Sequence, residues 1–160
     1  MFKKIDSNLY DVLLSITAFL LLIAVLLTFY QVVTRFVFDS PTPWSEILAR
    51  GVIIWAVFLG LPCVVRYGEL ISIDIIYKLF NAHHYLIKVM IQILNLIVFV
   101  IIFKYGIEVT FRVVHQTVPL LDFSMSWLYA SIPVGTGLSI FTTLLRLIDI
   151  RELNKHEEVL

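Results

Sequence analysis

The chain has 160 residues, 60% of them hydrophobic and 15% charged, with a formal net charge of zero and a mean hydropathy of +0.95. A soluble domain is nearer half apolar and a quarter charged, so this chain has too little polar surface to stay in water, and balanced charge gives no reason to expect nucleic acid as a partner. The length permits one domain, expected as a single four-span membrane unit over 1–160, and the one cysteine, Cys63, cannot build a disulfide framework, a thiol redox pair or a zinc cluster.

A hydrocarbon core about 30 Å thick needs about 20 apolar helical residues at about 1.5 Å each. The basic start Met1-Phe2-Lys3-Lys4 leads into Val12 to Thr34, 23 residues without a charge. No small-residue cleavage site interrupts this run, so it reads as a retained span, about 12–38, and not as a signal peptide. The loop Asp39-Ser40-Pro41-Thr42-Pro43 ends it, since two prolines there cannot continue a helix.

The second span is expected over about 44–65. Its strictly uncharged part, Gly51 to Val65, has 15 residues, or about 22 Å. That is shorter than the core, so Glu46 and Arg50 fall at or just inside the membrane boundary. They are four apart with the acid N-terminal, the favourable order for an ion pair. Two readings stay open: a boundary pair that satisfies only itself, or a contact to a partner subunit. A proton or ion relay is disfavoured, because the middles of all four spans lack an ionisable group.

Arg66, Glu69 and Asp74 follow the second span and read as a hydrated, positively flanked turn. Leu70 to Phe80 is too short to cross, and Ile73, Ile76 and Phe80 fall at helical spacing away from Asp74 and Lys78. A short interfacial amphipathic helix is expected at about 70–80.

The third span is expected over about 83–106, with Lys88 and Lys104 bracketing its uncharged centre. Gln92 and Asn95, three apart, read as formers of hydrogen bonds between helices. Glu108, Arg112 and His115 follow at spacings of four and three, which extends the helix to about 115 as a solvated face. His115 and Glu108 supply only two candidate ligands, so no metal is expected. A membrane haem needs facing pairs of histidines, whereas His83 and His84 adjoin at one end, His115 lies at the other and His156 is in the tail. No cofactor is expected.

The fourth span is expected over about 123–145. Ser131, Gly135, Ser139 and Thr143 recur every four residues and form a helix-packing face, inside the bundle or against a partner. Pro133 is placed to kink that helix.

Orientation follows from the basic residues. With both termini on one side, that side holds Lys3, Lys4, Arg66, Lys78, Lys88, Arg146, Arg151 and Lys155, while the other holds Arg35, Arg50, Lys104 and Arg112. The excess predicts cytoplasmic termini and puts Trp44 and Trp127 at the outer boundary, where indole rings prefer to sit.

Read together, Trp44-Ser45-Glu46-Ile47-Leu48-Ala49-Arg50, Trp55, Phe58-Leu59-Gly60 and Arg66-Tyr67-Gly68-Glu69-Leu70-Ile71-Ser72-Ile73-Asp74 resemble the small, DctQ-like membrane subunit of tripartite ATP-independent periplasmic (TRAP) transporters. Trp127-Leu128-Tyr129-Ala130-Ser131-Ile132-Pro133-Val134-Gly135 is a second match, and the resemblance covers nearly the whole chain. Ile47 stands where the family has a second Glu and Leu70 where it has His, so no role for a titrating group at either position transfers.

The resemblance implies an all-α integral membrane protein of four transmembrane helices plus the interfacial helix, set in a bacterial inner membrane. It further implies a scaffold subunit that binds a larger, many-spanning subunit. Together they would receive an organic acid, of the dicarboxylate or sialic-acid type, from a periplasmic binding protein, usually driven by sodium. Under this reading Trp44, Glu46, Arg50, Trp55, Arg66 and Asp74 form the partner interface, and the chain is not an enzyme. The alternatives are a purely structural membrane protein or an autonomous four-span exporter; the exporter needs a membrane-embedded Glu in the first span, and Val12 to Thr34 has no acid.

Overall fold

Backbone inside hydrocarbon must satisfy its own hydrogen bonds, and each long apolar run of this chain does so as helix. The computed structural model describes the backbone of residues 2–40, 42–67, 84–118 and 121–157 and the side chains of 9–40, 42–65, 88–118 and 121–148. The interfacial helix expected at about 70–80, with Asp74, lies outside these residues. The elements are α1 (Phe2–Phe36), α2 (Pro43–Tyr67), α3 (His84–Arg112), α4 (Ser126–Tyr129) and α5 (Ser131–Glu157). Four stretches are long and apolar enough to cross a bilayer: Leu9–Phe36, Pro43–Val65, Lys88–Arg112 and Ser126–Ile148. The protein is an all-α integral membrane protein.

The helix ends follow local chemistry. After α1 the chain turns through Asp39, whose φ of 47° is a left-handed conformation that Asp tolerates. Pro43, read from sequence as the end of the loop, is instead the first residue of α2. Its fixed φ suits that position, and its missing N–H would be unbonded there anyway. Thr42 and Ser45 tie the turn: their hydroxyls lie 3.0 Å apart, Thr42 Oγ1 is 3.0 Å from Thr34 Oγ1, and Ser45 Oγ donates to the Thr42 carbonyl at 2.7 Å.

The expected extension of the third helix to about 115 stops at Arg112, and His115 lies in the following turn. Val118 N–H donates to Phe123 O and Met125 N–H to Gln116 O, both at 2.8 Å, so residues 116–118 lie back against 123–125. The fourth span differs most from expectation. Phe123 is in this loop, and the helix from 126 is interrupted at Ala130. Ala130 keeps helical dihedrals, donating to Ser126 O and accepting from Val134 N–H, so the interruption is slight; Pro133, with no N–H for the carbonyl of Tyr129 four residues back, contributes to it.

α1 packs on α2, α2 on α5 and α5 on α3, giving a row of four crossings in the order α1, α2, α5, α3. Gly51 meets Leu128 and Phe58 meets Gly135, so α2 and α5 run in the same direction; Gly106 meets Ile132 and Phe103 meets Gly137, so α3 opposes them. The end of α1, the start of α2, the end of α3 and the start of α4 therefore share one end of the row.

Lipid tails are as apolar as leucine, so these helices associate through close packing rather than a hydrophobic drive. α5 is built for this. A Cβ on Gly135 would run into the backbone carbonyl of Phe58, and one on Gly106 would come within 2.7 Å of Ile132. Ser131, Thr136, Ser139 and Thr143 of α5 are completely buried. Their hydroxyls donate back to carbonyls of Leu128, Ile132, Gly135 and Ser139, at 2.6–2.9 Å, which satisfies them without a partner helix. Much of the remaining apolar surface is open, including Phe19, Phe29 and Met90, as a lipid-facing surface should be.

Candidate partner interface

At the end of the row that carries the turns, Glu46 and Arg50 lie on successive turns of α2. Arg50 Nη2 donates to Glu46 Oε1 at 3.0 Å. The second carboxylate oxygen, Oε2, accepts from Gln31 Nε2 of α1 at 3.2 Å. Glu46 is thus held by two helices, while both partners of the ion pair stay more than half exposed. Trp44, two residues before Glu46 at the start of α2, sets its ring against Tyr30 of α1 at 5.9 Å between centroids. Trp44, Glu46 and Arg50 are therefore brought together on one corner.

Trp55 lies elsewhere. Its indole Nε1 donates to the carbonyl of Trp127 at 3.1 Å, strapping α4 to α2. Between them runs an apolar groove lined by Gly51, Trp55, Phe123 and Trp127. Arg66 is the next-to-last residue of α2, at the opposite end of the row, and its side chain is outside the described residues, as is all of Asp74. Ser131, Gly135 and Ser139 lie on the buried face of α5 described above.

A second ion pair, Arg112 Nη2 to Glu108 Oε1 at 2.7 Å, lies at the end of α3, also exposed. Among the described residues, no three of His, Cys, Asp and Glu lie together in a way that could hold a metal ion.

Besides the Trp55–Trp127 bond, two further contacts escape a reading of local spacing. Gln31 joins Glu46 across 15 residues and a turn. Arg146 of α5 reaches the carbonyl of Val65, near the C-terminus of α2, 81 residues away. A cation suits that end of a helix, where carbonyls lack intrahelical donors. The only sequence signal for Arg146 is its place as the first charge after a long neutral run.

The arrangement has the character of an assembly surface: ordered polar groups at one corner of a membrane-spanning row whose faces are largely uncovered. Residues 24–152 match the family described as "Tripartite ATP-independent periplasmic transporters, DctQ component". The chain is also similar to the sialic acid TRAP transporter permease protein SiaT of Haemophilus influenzae (strain 86-028NP), at 32% identity over 129 residues. That alignment covers 78% of this chain and 20% of the relative, so the chain spans about a fifth of the relative's length. Four membrane-crossing helices and a family match running from within α1 to within α5 lead to one assignment: the chain belongs to the DctQ component family of TRAP transporters.

Proposed function

We propose that this protein is the small, fixed scaffold subunit of a sodium-driven TRAP transporter that imports an organic acid delivered by a periplasmic binding protein. It performs no chemical reaction itself. It lies in the inner membrane with both termini in the cytoplasm, so that the corner at Trp44, Glu46 and Arg50 faces outward. That corner, together with Trp55 further along α2 and with Arg66 and Asp74 toward the cytoplasm, contacts the larger, many-spanning subunit.

The observation that carries this reading is the open row of helices. Among the described residues the helices meet chiefly as neighbours in the order α1, α2, α5, α3, which leaves broad faces open and presents an ordered ion pair to whatever lies beside it. The family assignment supports the large subunit and the binding protein as partners. The sialic acid permease among its relatives supports an acidic cargo of the sialic-acid or dicarboxylate type.

Reconstitution tests it. The subunit, co-expressed with its large partner and supplied with the binding protein, is expected to give uptake of sialic acids or C4-dicarboxylates that needs an inward sodium gradient. Uptake that is unchanged when this subunit is left out, or when sodium is replaced by potassium, would overturn the proposal.

A further inference from the structure

Apart from Pro43 and Trp44 in the first turn, every exposed side chain of α2 among the described residues falls on one stripe: Glu46, Arg50, Ile53, Val57 and Val64. The spacings of four, three, four and seven keep these residues on one side of a helix. The other sides are taken. Ala49, Ala56 and Cys63 are buried on the side toward α1, while Gly51, Phe58 and Val65 meet α4 and α5. From Glu46 to Val64 the stripe runs about 27 Å at about 1.5 Å per residue, close to the thickness of the hydrocarbon core.

We infer that this stripe is where one membrane-crossing helix of the large subunit lies against α2, with a hydrogen-bonding side chain of that helix at the level of Glu46 and Arg50. The inference rests on the reading of this chain as the small subunit of a transporter.

Charge at the stripe points to this occupant. Arg50 lies seven residues below the start of α2, about 10 Å along the axis. Among the described residues its guanidinium makes one hydrogen bond, to Glu46, though it carries five N–H donors. Lipid tails offer no acceptor at that depth. A lipid phosphate is a poor alternative, because the Glu46 carboxylate already sits on the guanidinium and repels a second anion. A neutral, pre-oriented pair fits a neutral polar side chain, which can give to the carboxylate and accept from the guanidinium.

The exposed face of α3 is the contrast. Lys104, Glu108 and Arg112 leave a net positive charge there, above apolar Ile97 and Ile101. A net cation near the membrane surface suits anionic headgroups, so that face is left to lipid. The exposed side of α1 from Val12 to Phe29 carries mainly apolar groups and suits acyl chains.

Photocrosslinking in the co-expressed complex tests the placement. A benzophenone amino acid replaces, one at a time, Ile53 and Val57 on α2, Val25 and Phe29 on α1, or Ile97 and Ile101 on α3. Adducts of this chain with the large subunit are expected from 53 and 57 and are expected to be lost at the α1 and α3 positions. In parallel, the double change E46R/R50E keeps an internal pair but inverts it. It should abolish recovery of the large subunit while the lone subunit stays monodisperse. If the complex is recovered but adducts form from α1 or α3 and not from α2, the placement is wrong and the subunit reading stands. Adducts from 53 and 57 only to lipid or to a second copy, or wild-type recovery by E46R/R50E, also overturn it. If the wild-type chain recovers no large subunit at all, the subunit reading falls and the placement with it.

Discussion

Single residues set the spacing of the row. Gly135 and Gly137 are two apart on α5, yet a methyl group would meet different matter at each. At 135 it meets the backbone of Phe58 on α2, which cannot swing aside. At 137 it approaches the edge of the Phe103 ring at 3.3 Å, and a ring can give by a few tenths of an ångström. Gly135→Ala is therefore expected to cost about 2–3 kcal/mol by forcing α2 and α5 apart, and Gly137→Ala under about 1 kcal/mol. Thermal unfolding of the two variants in the same detergent checks this. Equal losses would show that the α2–α5 approach is not the tight one.

Elements show what local pattern can and cannot carry. The four spans were legible because uncharged runs of membrane length have few other uses, and the small-residue repeat on α5 was legible because period four is a helix face. The start of α2 lies one residue before the expected Trp44, because Pro43 fits the first helical position. The break at Ala130 falls where Pro133 is expected to kink the fourth span: hydropathy runs smoothly across it, and the bond missing between Pro133 and Tyr129 marks it. The Glu46–Arg50 pair is a local spacing, so it could be read, whereas Gln31 and Arg146 reach partners on other helices and leave no periodic trace. Pro133→Ala gives the Tyr129 carbonyl a donor and is expected to fuse α4 and α5 into one helix. Hydrogen exchange in detergent then finds the new amide at 133 as slow as its neighbours in α5. Fast exchange there would assign the break to the Trp55–Trp127 strap instead.

For the molecule as a whole, alternating helix directions put the start of α1 and the end of α5 at one end of the row, and the turns at the other. By the positive-inside rule the basic residues set which end is expected to face the cytoplasm, with eight of the 12 Lys and Arg expected from sequence on the side of the termini. A reporter active only in the periplasm is expected to be silent when fused after Leu160 and active when inserted at 119–120. The reverse pattern would turn the whole row over and place Glu46 and Arg50 on the cytoplasmic side.

The same architecture bears on whether the chain can transport alone. A carrier needs a site that opens to each side in turn, and such sites are built near the bilayer midplane from broken helices at an interface of repeats. Among the described residues the one interrupted helix breaks near the turn end of the row, at Ala130, and the charges of Glu46, Arg50, Glu108 and Arg112 also lie toward that end. The polar groups deeper in α5 are hydroxyls that already donate to their own helix. The unused donors of Arg50 thus lie toward the turn end, and the hydroxyls deeper in α5 offer a carboxylate cargo no set of free donors. Liposomes containing only this protein, with an inward sodium gradient, are therefore expected to take up sialic acids or C4-dicarboxylates no faster than empty ones. Adding the large subunit and the loaded binding protein to the same preparation should start uptake, which shows that the chain was folded and correctly inserted. Sodium-dependent uptake by the lone chain, well above empty liposomes, would mean that copies of the row close around a site between them, and the scaffold role would have to be given up.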